Sequence, residues 1–175
     1  MVRILLADDH AVVREGVERI LKMEGMVVVG QAVDTRSARK LYNELKPDIL
    51  VMDMSMPGAA GVDGVAHIMQ DDPDAKVIIF SIHENPELVE RVLELGASGY
   101  VTKSCPLAEL VVAIKVIYKG GIYVSSELAQ ALVYKRMGNK KNILATLSER
   151  EFNIFCLVAE GKCVDEIADL LFLAE

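Results

Sequence analysis

The strongest constraint on the fold is an unbroken apolar run that ends in a carboxylate. Residues 49–52 read Ile-Leu-Val-Met, Asp53 follows directly, and the chain turns at Pro57-Gly58. An apolar run without alternation is typical of a strand buried on both faces, as in a parallel sheet. Proline and glycine then interrupt the strand period. We therefore expect Asp53 at the carboxyl end of a central strand, which is the edge where open α/β sheets bind ligands.

Further apolar segments alternate along the chain with segments of helical spacing. The apolar segments predict strands at residues 3–7, 26–29, 76–80 and 99–102, in addition to the central run. The helical spacing predicts helices at residues 11–24, 34 to before Pro47, about 65–69, 86–95 and 106–119. Strands that alternate with helices imply parallel strands joined by right-handed crossovers. The predicted fold class is α/β: a flavodoxin-like, doubly wound, five-stranded parallel sheet of strand order 2-1-3-4-5.

The pattern changes after about residue 120, and we expect three parts. Residues 1–120 would form the α/β domain. Residues 121–146 would form a linker with a helix that ends near Met137, before a polar stretch at residues 138–142. Residues 147–175 would form a small all-α segment, which opens with a capping box of Ser148 and Glu151.

Composition and charge exclude several classes of protein. The net charge of −7 argues against non-specific attraction of the whole chain to nucleic acid or anionic membranes. No run approaches about 18 uncharged apolar residues, so we expect no membrane span. The start of the chain lacks the layout of a signal peptide. The three cysteines of the chain form no CxxC pair. We therefore expect a cytoplasmic protein with reduced thiols.

The predicted strand order brings several polar side chains to one edge of the sheet. Strands one and three are neighbours, so their carboxyl ends place Asp8 and Asp9 beside Asp53. Strands four and five add Ser81 and Lys103. Carboxylates at such spacing repel by about 4 kcal/mol per pair at roughly 4 Å and an effective dielectric constant of about 20. A divalent cation relieves this repulsion, and oxygen ligands favour Mg²⁺.

Carboxylates, Mg²⁺, a lysine and a hydroxyl together predict a phosphoryl-transfer site, where positioning and charge neutralisation supply most of the catalysis. We expect Asp53 to accept the phosphoryl group, because it stands alone beside a flexible loop. Asp9 would bind the metal directly, and Asp8 would assist, directly or through water. A single Asp at a strand end is more often a helix cap or turn former. That alternative loses weight here because four predicted strand ends carry polar residues together.

Motifs at these strand ends resemble the receiver domain of bacterial two-component response regulators. They read LLADDH, VMDMSMPG, IIFSIHE and GYVTKS, and the resemblance covers residues 2 to about 120. It implies that a sensor histidine kinase passes a phosphoryl group from phosphohistidine to Asp53, and that Lys103 contacts the phosphoryl oxygens. It also implies that Ser81 and Tyr100 form a switch, in which the hydroxyl turns to the phosphoryl group and the ring moves inward. The implied Mg²⁺ ligands are Asp8, Asp9, Asp53 and the carbonyl of Ser55.

The end of the chain resembles the LuxR-type helix-turn-helix of the NarL/FixJ subfamily. Its residues 147–151, Leu-Ser-Glu-Arg-Glu, match the opening of that domain. The recognition helix that would enter the major groove does not follow, so we expect a truncated DNA-binding domain. Residues 138–175 carry a net charge of −3, which does not suit phosphate binding. The resemblance thus implies a DNA-binding transcription regulator as the full-length protein, and weak DNA binding by this chain.

Other interpretations stay open. The chain could signal or act as a phosphate sink without a DNA function, or be a Mg²⁺-dependent aspartyl phosphatase. Such phosphatases usually carry a second Asp two residues after the first, where this chain has Ser55. We expect no enzyme activity beyond Mg²⁺-dependent self-phosphorylation and dephosphorylation. The strongly apolar helix predicted after Pro106, together with the first predicted helix, also indicates a homodimer face.

Overall fold

The computed structural model describes residues 1–57 and 61–145, except for the side chains of residues 136–145. The strands in this part of the chain are β1 (Arg3–Ala7), β2 (Val27–Ala32), β3 (Ile49–Met52), β4 (Val77–Ser81), β5 (Gly99–Thr102) and β6 (Tyr123–Val124). The helices are α1 (Ala11–Met23), α2 (Thr35–Leu45), α3 (Gly61–Asp71), α4 (Pro86–Glu94), α5 (Leu107–Tyr118) and α6 (Ser126–Ala145). The predicted helix-turn-helix segment at residues 147–175 lies outside the described residues.

All strands of the sheet are parallel, in the order β2-β1-β3-β4-β5-β6. The predicted order 2-1-3-4-5 is confirmed, and β6 extends it by one strand beside β5. β6 has only two residues, too few for an apolar pattern to indicate a strand. The register aligns the carboxyl ends of β1 and β3, since Ala7 pairs with Met52. The residues that follow, Asp8 and Asp53, therefore leave the sheet side by side.

The sheet lies between two apolar layers, which explains why the central strands lack alternation. Leu50 and Ile79 belong to a core shared with α2, α3 and α4. Their chain neighbours Ile49 and Ile78 belong to the opposite core, shared with α1 and α5. All four side chains are fully buried. Both faces of the central strands thus exclude water, and the apolar area that they bury stabilises the sheet.

Two helices begin at residues whose side chains cap the first turn. Asp34 precedes α2, and its carboxylate accepts a hydrogen bond from the N–H of Ser37 at 2.7 Å. Asn85 precedes α4 and accepts from the N–H of Glu87 at 2.8 Å, with Pro86 in the first helical position. Each cap satisfies a backbone donor that the first helical turn leaves without a partner. Both helices follow the carboxyl ends of their strands, α2 after β2 and α4 after β4, so they begin close to that edge of the sheet.

The largest errors in the predicted boundaries are at the start of α3 and the end of α6. α3 begins at Gly61 rather than near Val65, although glycine disfavours helices. Close packing favours glycine here, because a Cβ atom at position 61 would lie only 2.5 Å from the carbonyl oxygen of Met54. α6 continues to Ala145, so the polar stretch predicted as a linker at residues 138–142 is helical. A single glycine in that stretch costs a helix only about 1 kcal/mol relative to alanine.

The chain divides into two compact units, Met1–Leu132 and Val133–Glu175. The first unit includes β6 and the start of α6, where Leu128 is buried in the core shared with α2, α3 and α4. The domain boundaries predicted near residues 120 and 146 stay predictions. Within the described ranges, no helix is both long and apolar enough to span a bilayer.

Replacing two glycines by alanine should change stability in opposite directions. Gly61→Ala would press its methyl group against the Met54 backbone, so the free energy of unfolding should fall by about 1–3 kcal/mol. Gly16→Ala in α1 meets nothing within 4 Å and should raise the free energy of unfolding by about 0.5–1 kcal/mol. Urea unfolding of both variants measures the two changes. A Gly61→Ala protein as stable as the wild type would contradict the packing argument.

Candidate functional site

Two carboxylates are buried at the carboxyl edge of the sheet. Asp8 follows β1 with 5% of its surface exposed, and Asp53 follows β3 with 2% exposed. The N–H of Asp53 donates to the carbonyl of Ala7 at 2.8 Å, so backbone pairing itself brings the two side chains together. Asp9 and His10 lie beside them and are exposed, and ligand atoms of these four residues lie within 4.8 Å of one another. The structure thus places the three predicted carboxylates in one cluster.

Lys103 supplies positive charge between the two buried carboxylates. Its Nζ lies 2.7 Å from Asp8 Oδ2 and 2.8 Å from Asp53 Oδ2. The lysine follows β5, and its backbone N–H donates to the carbonyl of Ser81 at the end of β4. Burial acts to lower the pKa of Lys103, but its hydrogen bonds to Asp53 and Asp8 outweigh burial, so the pKa lies above its usual value. The amine is therefore charged at neutral pH and offsets repulsion between the carboxylates.

One carboxylate oxygen at the centre of the site lacks a partner. Asp53 Oδ1 is buried, and no group among the described residues donates a hydrogen bond to it. Buried polar atoms are nearly always satisfied, because an unpaired one costs about 1–3 kcal/mol. An oxygen in this position can act as a ligand of a cation or as a nucleophile that forms a new bond. The possible metal ligands around it are mostly carboxylate oxygens, which suit Mg²⁺.

The two predicted switch residues, Ser81 and Tyr100, lie on neighbouring strands and are fully buried. The Tyr100 hydroxyl donates to the carbonyl of His83 at 2.6 Å. The N–H of His83 in turn lies 3.4 Å from Ser81 Oγ. Burial raises the pKa of Tyr100 to about 12, so the hydroxyl keeps its proton and remains a donor at neutral pH. Both residues thus hold the loop that follows β4.

Ser55 lies in the loop after β3, and its side chain is exposed. Its Oγ lies 3.3 Å from Nε2 of His83, so the loop after β3 contacts the loop after β4. The predicted metal ligand is the backbone carbonyl of Ser55, and this stays a prediction. The roles predicted for the other site residues also stay predictions at this point.

Glu84, which the sequence analysis did not single out, joins the loop after β4 to the loop after β5. Its Oε1 accepts hydrogen bonds from Ser104 Oγ at 2.7 Å and from Thr102 Oγ1 at 2.8 Å. These bonds, the one from Ser104 first, lower the pKa of Glu84. Thr102 and Ser104 flank Lys103, so Glu84 restrains the segment that positions the lysine. No spacing along the chain connects residues 84, 102 and 104; the adjacency of β4 and β5 does.

Comparison with known proteins accounts for this arrangement. Residues 4–115 match the family of response regulator receiver domains. The chain belongs to the response regulator family. This receiver therefore acts in phosphorylation-dependent signalling that regulates transcription.

The response regulator resembles known members over most of its length. It is 37% identical to the response regulator GacA of Pseudomonas aeruginosa over 177 residues, which cover 99% of this chain and 83% of GacA. The crystal structure of a LuxR-family two-component response regulator from Aurantimonas sp. SI85-9A1 matches with TM-score 0.76 and 43% identity, covering 78% of this chain and 99% of that one. RcsB of Salmonella enterica serovar Typhimurium, bound to promoter P1flhDC in the presence of phosphomimetic BeF3⁻, matches with TM-score 0.72 and 28% identity, covering 99% of this chain and 84% of RcsB. The subfamily predicted from the sequence is confirmed.

Removing the Tyr100 hydroxyl should destabilise the receiver measurably. Tyr100→Phe leaves the His83 carbonyl without its donor, so the free energy of unfolding should fall by about 0.5–1.5 kcal/mol. Tyr134 is exposed and offers a matched control, since Tyr134→Phe should change that free energy by less than about 0.5 kcal/mol. Chemical denaturation measures both variants. Equal stability of the two would show that the buried hydroxyl contributes nothing.

Proposed function

We propose that Asp53 accepts the phosphoryl group through which this receiver signals, and that a sensor histidine kinase supplies it. The observation that carries the proposal is the environment of the Asp53 carboxylate. The group is buried, its Oδ2 lies 2.8 Å from the Lys103 amine, and its Oδ1 has no partner in the described part of the chain. The Lys103 amine thus holds the carboxylate in place, and the group keeps an oxygen that no hydrogen bond from the described residues occupies.

Asp8 is the other buried carboxylate, and its contacts differ. Its Oδ1 accepts from the N–H of His10 at 2.8 Å, and its Oδ2 lies 2.7 Å from Lys103 Nζ. Because both of its oxygens are engaged, Asp8 suits a supporting role. The difference in contacts favours Asp53 over Asp8 as the acceptor.

In the proposed transfer, an oxygen of Asp53 bonds to phosphorus as the bond from phosphorus to the kinase histidine nitrogen breaks. The nitrogen keeps the electron pair of that bond, and an acyl phosphate forms on Asp53. A phosphoryl group brings about −1.5 to −2 charge and three acceptor oxygens. Lys103 Nζ already donates to Asp53 and can donate to these oxygens as well. Since charge neutralisation dominates phosphoryl transfer, the fixed amine contributes to the rate.

We propose Mg²⁺ as the cofactor, held by Asp8, Asp9, Asp53 and the carbonyl of Ser55. The clustered carboxylates fit an ion that prefers oxygen, and the unpartnered Asp53 Oδ1 fits an atom that coordinates a cation. When bound, Mg²⁺ supplies charge neutralisation at the transferring phosphoryl oxygens. The protein holds the carboxylates for it through the backbone pairing of β1 with β3.

Ser81 and Tyr100 are the proposed switch. The Tyr100 hydroxyl and the Glu84 carboxylate both tie the loop after β4 to β5. A phosphoryl group that draws the Ser81 hydroxyl toward it would move this loop, and Tyr100 would follow its partner His83. The charge added at Asp53 would in this way favour one of two arrangements of the loop after β4.

The proposed output is control of DNA binding, which the likeness to a promoter-bound RcsB supports. We propose a receiver at residues 1–120, a linker with a helix at residues 121–146 and a LuxR-type helix-turn-helix segment at residues 147–175. The net charge of −3 over residues 138–175 supports weak DNA binding by this chain alone. Exposed Val12 on α1 and Val112 on α5 support a homodimer through that face. A cytoplasmic location stays a prediction.

The proposed chemistry is limited to phosphorylation and dephosphorylation of the chain itself. Ser55 stands where an aspartyl phosphatase usually carries its second Asp. Sustained release of phosphate from p-nitrophenyl phosphate would support the phosphatase instead. A stable adduct on Asp53 that leaves reporter transcription by the full-length protein unchanged would favour the phosphate sink.

Asp53→Asn should abolish phosphorylation. With Mg²⁺ and acetyl phosphate, acetate leaves with the electrons of the broken P–O bond, and the intact mass of the protein should rise by one phosphoryl group. Hydroxylamine should remove the adduct, because it cleaves acyl phosphates. Asp74→Asn, at an exposed turn, is the control and should be phosphorylated like the wild type. Equal adduct yield in Asp53→Asn would refute the assignment.

Lys103→Met should destabilise the receiver in a way that depends on Mg²⁺. Without Mg²⁺, two buried carboxylates would face each other uncompensated, so the free energy of unfolding should fall by about 3–5 kcal/mol. Added Mg²⁺ should restore part of this stability, while adduct formation should slow by about tenfold or more. Urea titrations with and without Mg²⁺ and time-resolved mass spectrometry measure these effects, with exposed Lys119→Met as control. A stability loss that Mg²⁺ leaves unchanged would contradict a cation site here.

A further inference from the structure

His10 is the N-cap residue of α1, but its side chain does not cap the helix. Its backbone carbonyl accepts from the N–H groups of Val13 and Arg14 at the start of α1, at 3.1 and 3.2 Å. Helices usually begin with Ser, Thr, Asn or Asp, whose side chain caps the first turn. The imidazole of His10 makes no such bond. Its Nδ1 faces the carboxylates instead, 2.8 Å from Asp9 Oδ1 and 3.3 Å from Asp8 Oδ1.

These separations match those of ligands that share one metal ion. Adjacent ligands of an octahedral ion with bonds of about 2.1 Å are about 3.0 Å apart. The His10 nitrogen has this spacing from both Oδ1 atoms, and a ligand atom of Asp53 lies within 4.8 Å of the others. A cation held by the carboxylates would therefore have the imidazole within reach.

Asp8 and Asp53 each direct one carboxylate oxygen to Lys103 and leave the other for the cation. Lys103 Nζ contacts the Oδ2 atoms of Asp8 and Asp53. The Oδ1 atom of Asp8 faces His10, and the Oδ1 atom of Asp53 is buried without a partner among the described residues. This unpartnered oxygen is evidence that does not depend on the clustering. It indicates that the carboxylates are arranged to bind a cation, rather than being solvated surface acids.

We infer that His10 Nδ1 is a ligand of this cation site and that it gives the site affinity for transition ions such as Ni²⁺, in addition to Mg²⁺. The inference rests on the cation site of the proposed function and adds a nitrogen donor to its oxygens. Mg²⁺ is a hard ion that prefers oxygen, whereas imidazole suits transition ions. Loss of the imidazole therefore weakens binding of the transition ion far more than binding of Mg²⁺.

Calorimetric titration of the full, untagged chain with Ni²⁺ and, separately, with Mg²⁺ tests this selectivity. His10→Ala should weaken Ni²⁺ binding about 10- to 100-fold, and Mg²⁺ binding by less than about threefold. His10→Gln, which offers an amide oxygen, should lose Ni²⁺ affinity and keep Mg²⁺ affinity. His67→Ala is the matched control, because His67 is exposed on α3 and outside the cluster, and it should leave both affinities unchanged.

Pulsed electron paramagnetic resonance of the Mn²⁺-loaded protein tests the ligand directly. A nitrogen coupling to Mn²⁺ should be present in the wild type and in His67→Ala, and absent in His10→Gln. The wild-type signal decides the point even if His10→Ala fails to fold. No nitrogen coupling in the wild type would show that His10 only pairs with Asp9, and would overturn the inference.

The calorimetry separates this inference from the proposed function. Equal Ni²⁺ affinities of the wild type and both His10 variants would overturn the inference while leaving the Mg²⁺ site intact. Equal losses of Ni²⁺ and Mg²⁺ affinity in His10→Gln would overturn the claimed selectivity. Failure of the wild type to bind Mg²⁺ would refute the proposed cofactor, and an unphosphorylated Asp53 would refute the proposed acceptor. Neither of those results depends on His10.

Discussion

The Lys103 amine between two buried carboxylates is the interaction on which the site depends. Asp8 and Asp53 lie side by side away from water, where like charges repel far more strongly than at the surface. The amine lies within 2.8 Å of both carboxylates, and its positive charge offsets this repulsion. It engages one oxygen of Asp53 and leaves the other unpartnered within the described structure. The groups that would bind the proposed cation and phosphoryl group are therefore already close together.

Backbone pairing between strands, rather than side-chain packing, brings the site residues together. The ends of β1 and β3 are aligned by their register, and the N–H of Lys103 bonds to the carbonyl of Ser81 across β4 and β5. Glu84 then links the loops after β4 and β5. The network continues to the start of α6, because the N–H of Thr102 donates to Ser125 Oγ at 3.2 Å. Hydrogen bonds thus connect the segment that carries Lys103 to the start of α6.

Most of the receiver fold and the core of its site follow from local patterns. The run at residues 49–52 predicts a strand buried on both faces, and the alternation of strands with helices predicts the order 2-1-3-4-5. Parallel strands end at one edge, so the clustering of Asp8, Asp53 and Lys103 follows from topology before any coordinate is known. Caps such as Asp34 are equally local, because the capping side chain and its donor lie within one helical turn.

Other features depend on contacts between distant segments, which no local pattern records. The start of α3 at Gly61 is set by the Met54 backbone against which it packs, and the two residues of β6 become a strand only by pairing with β5. The bonds of Glu84 to residues 102 and 104 arise from the adjacency of two loops. Sequence alone shows that His10 follows two acids. Only the folded chain shows that its ring lies at ligand spacing from them, because this depends on how the chain turns from β1 into α1. Only the pairing of β1 with β3 brings the buried Asp53 oxygen, which is unpartnered in the described structure, to the same place.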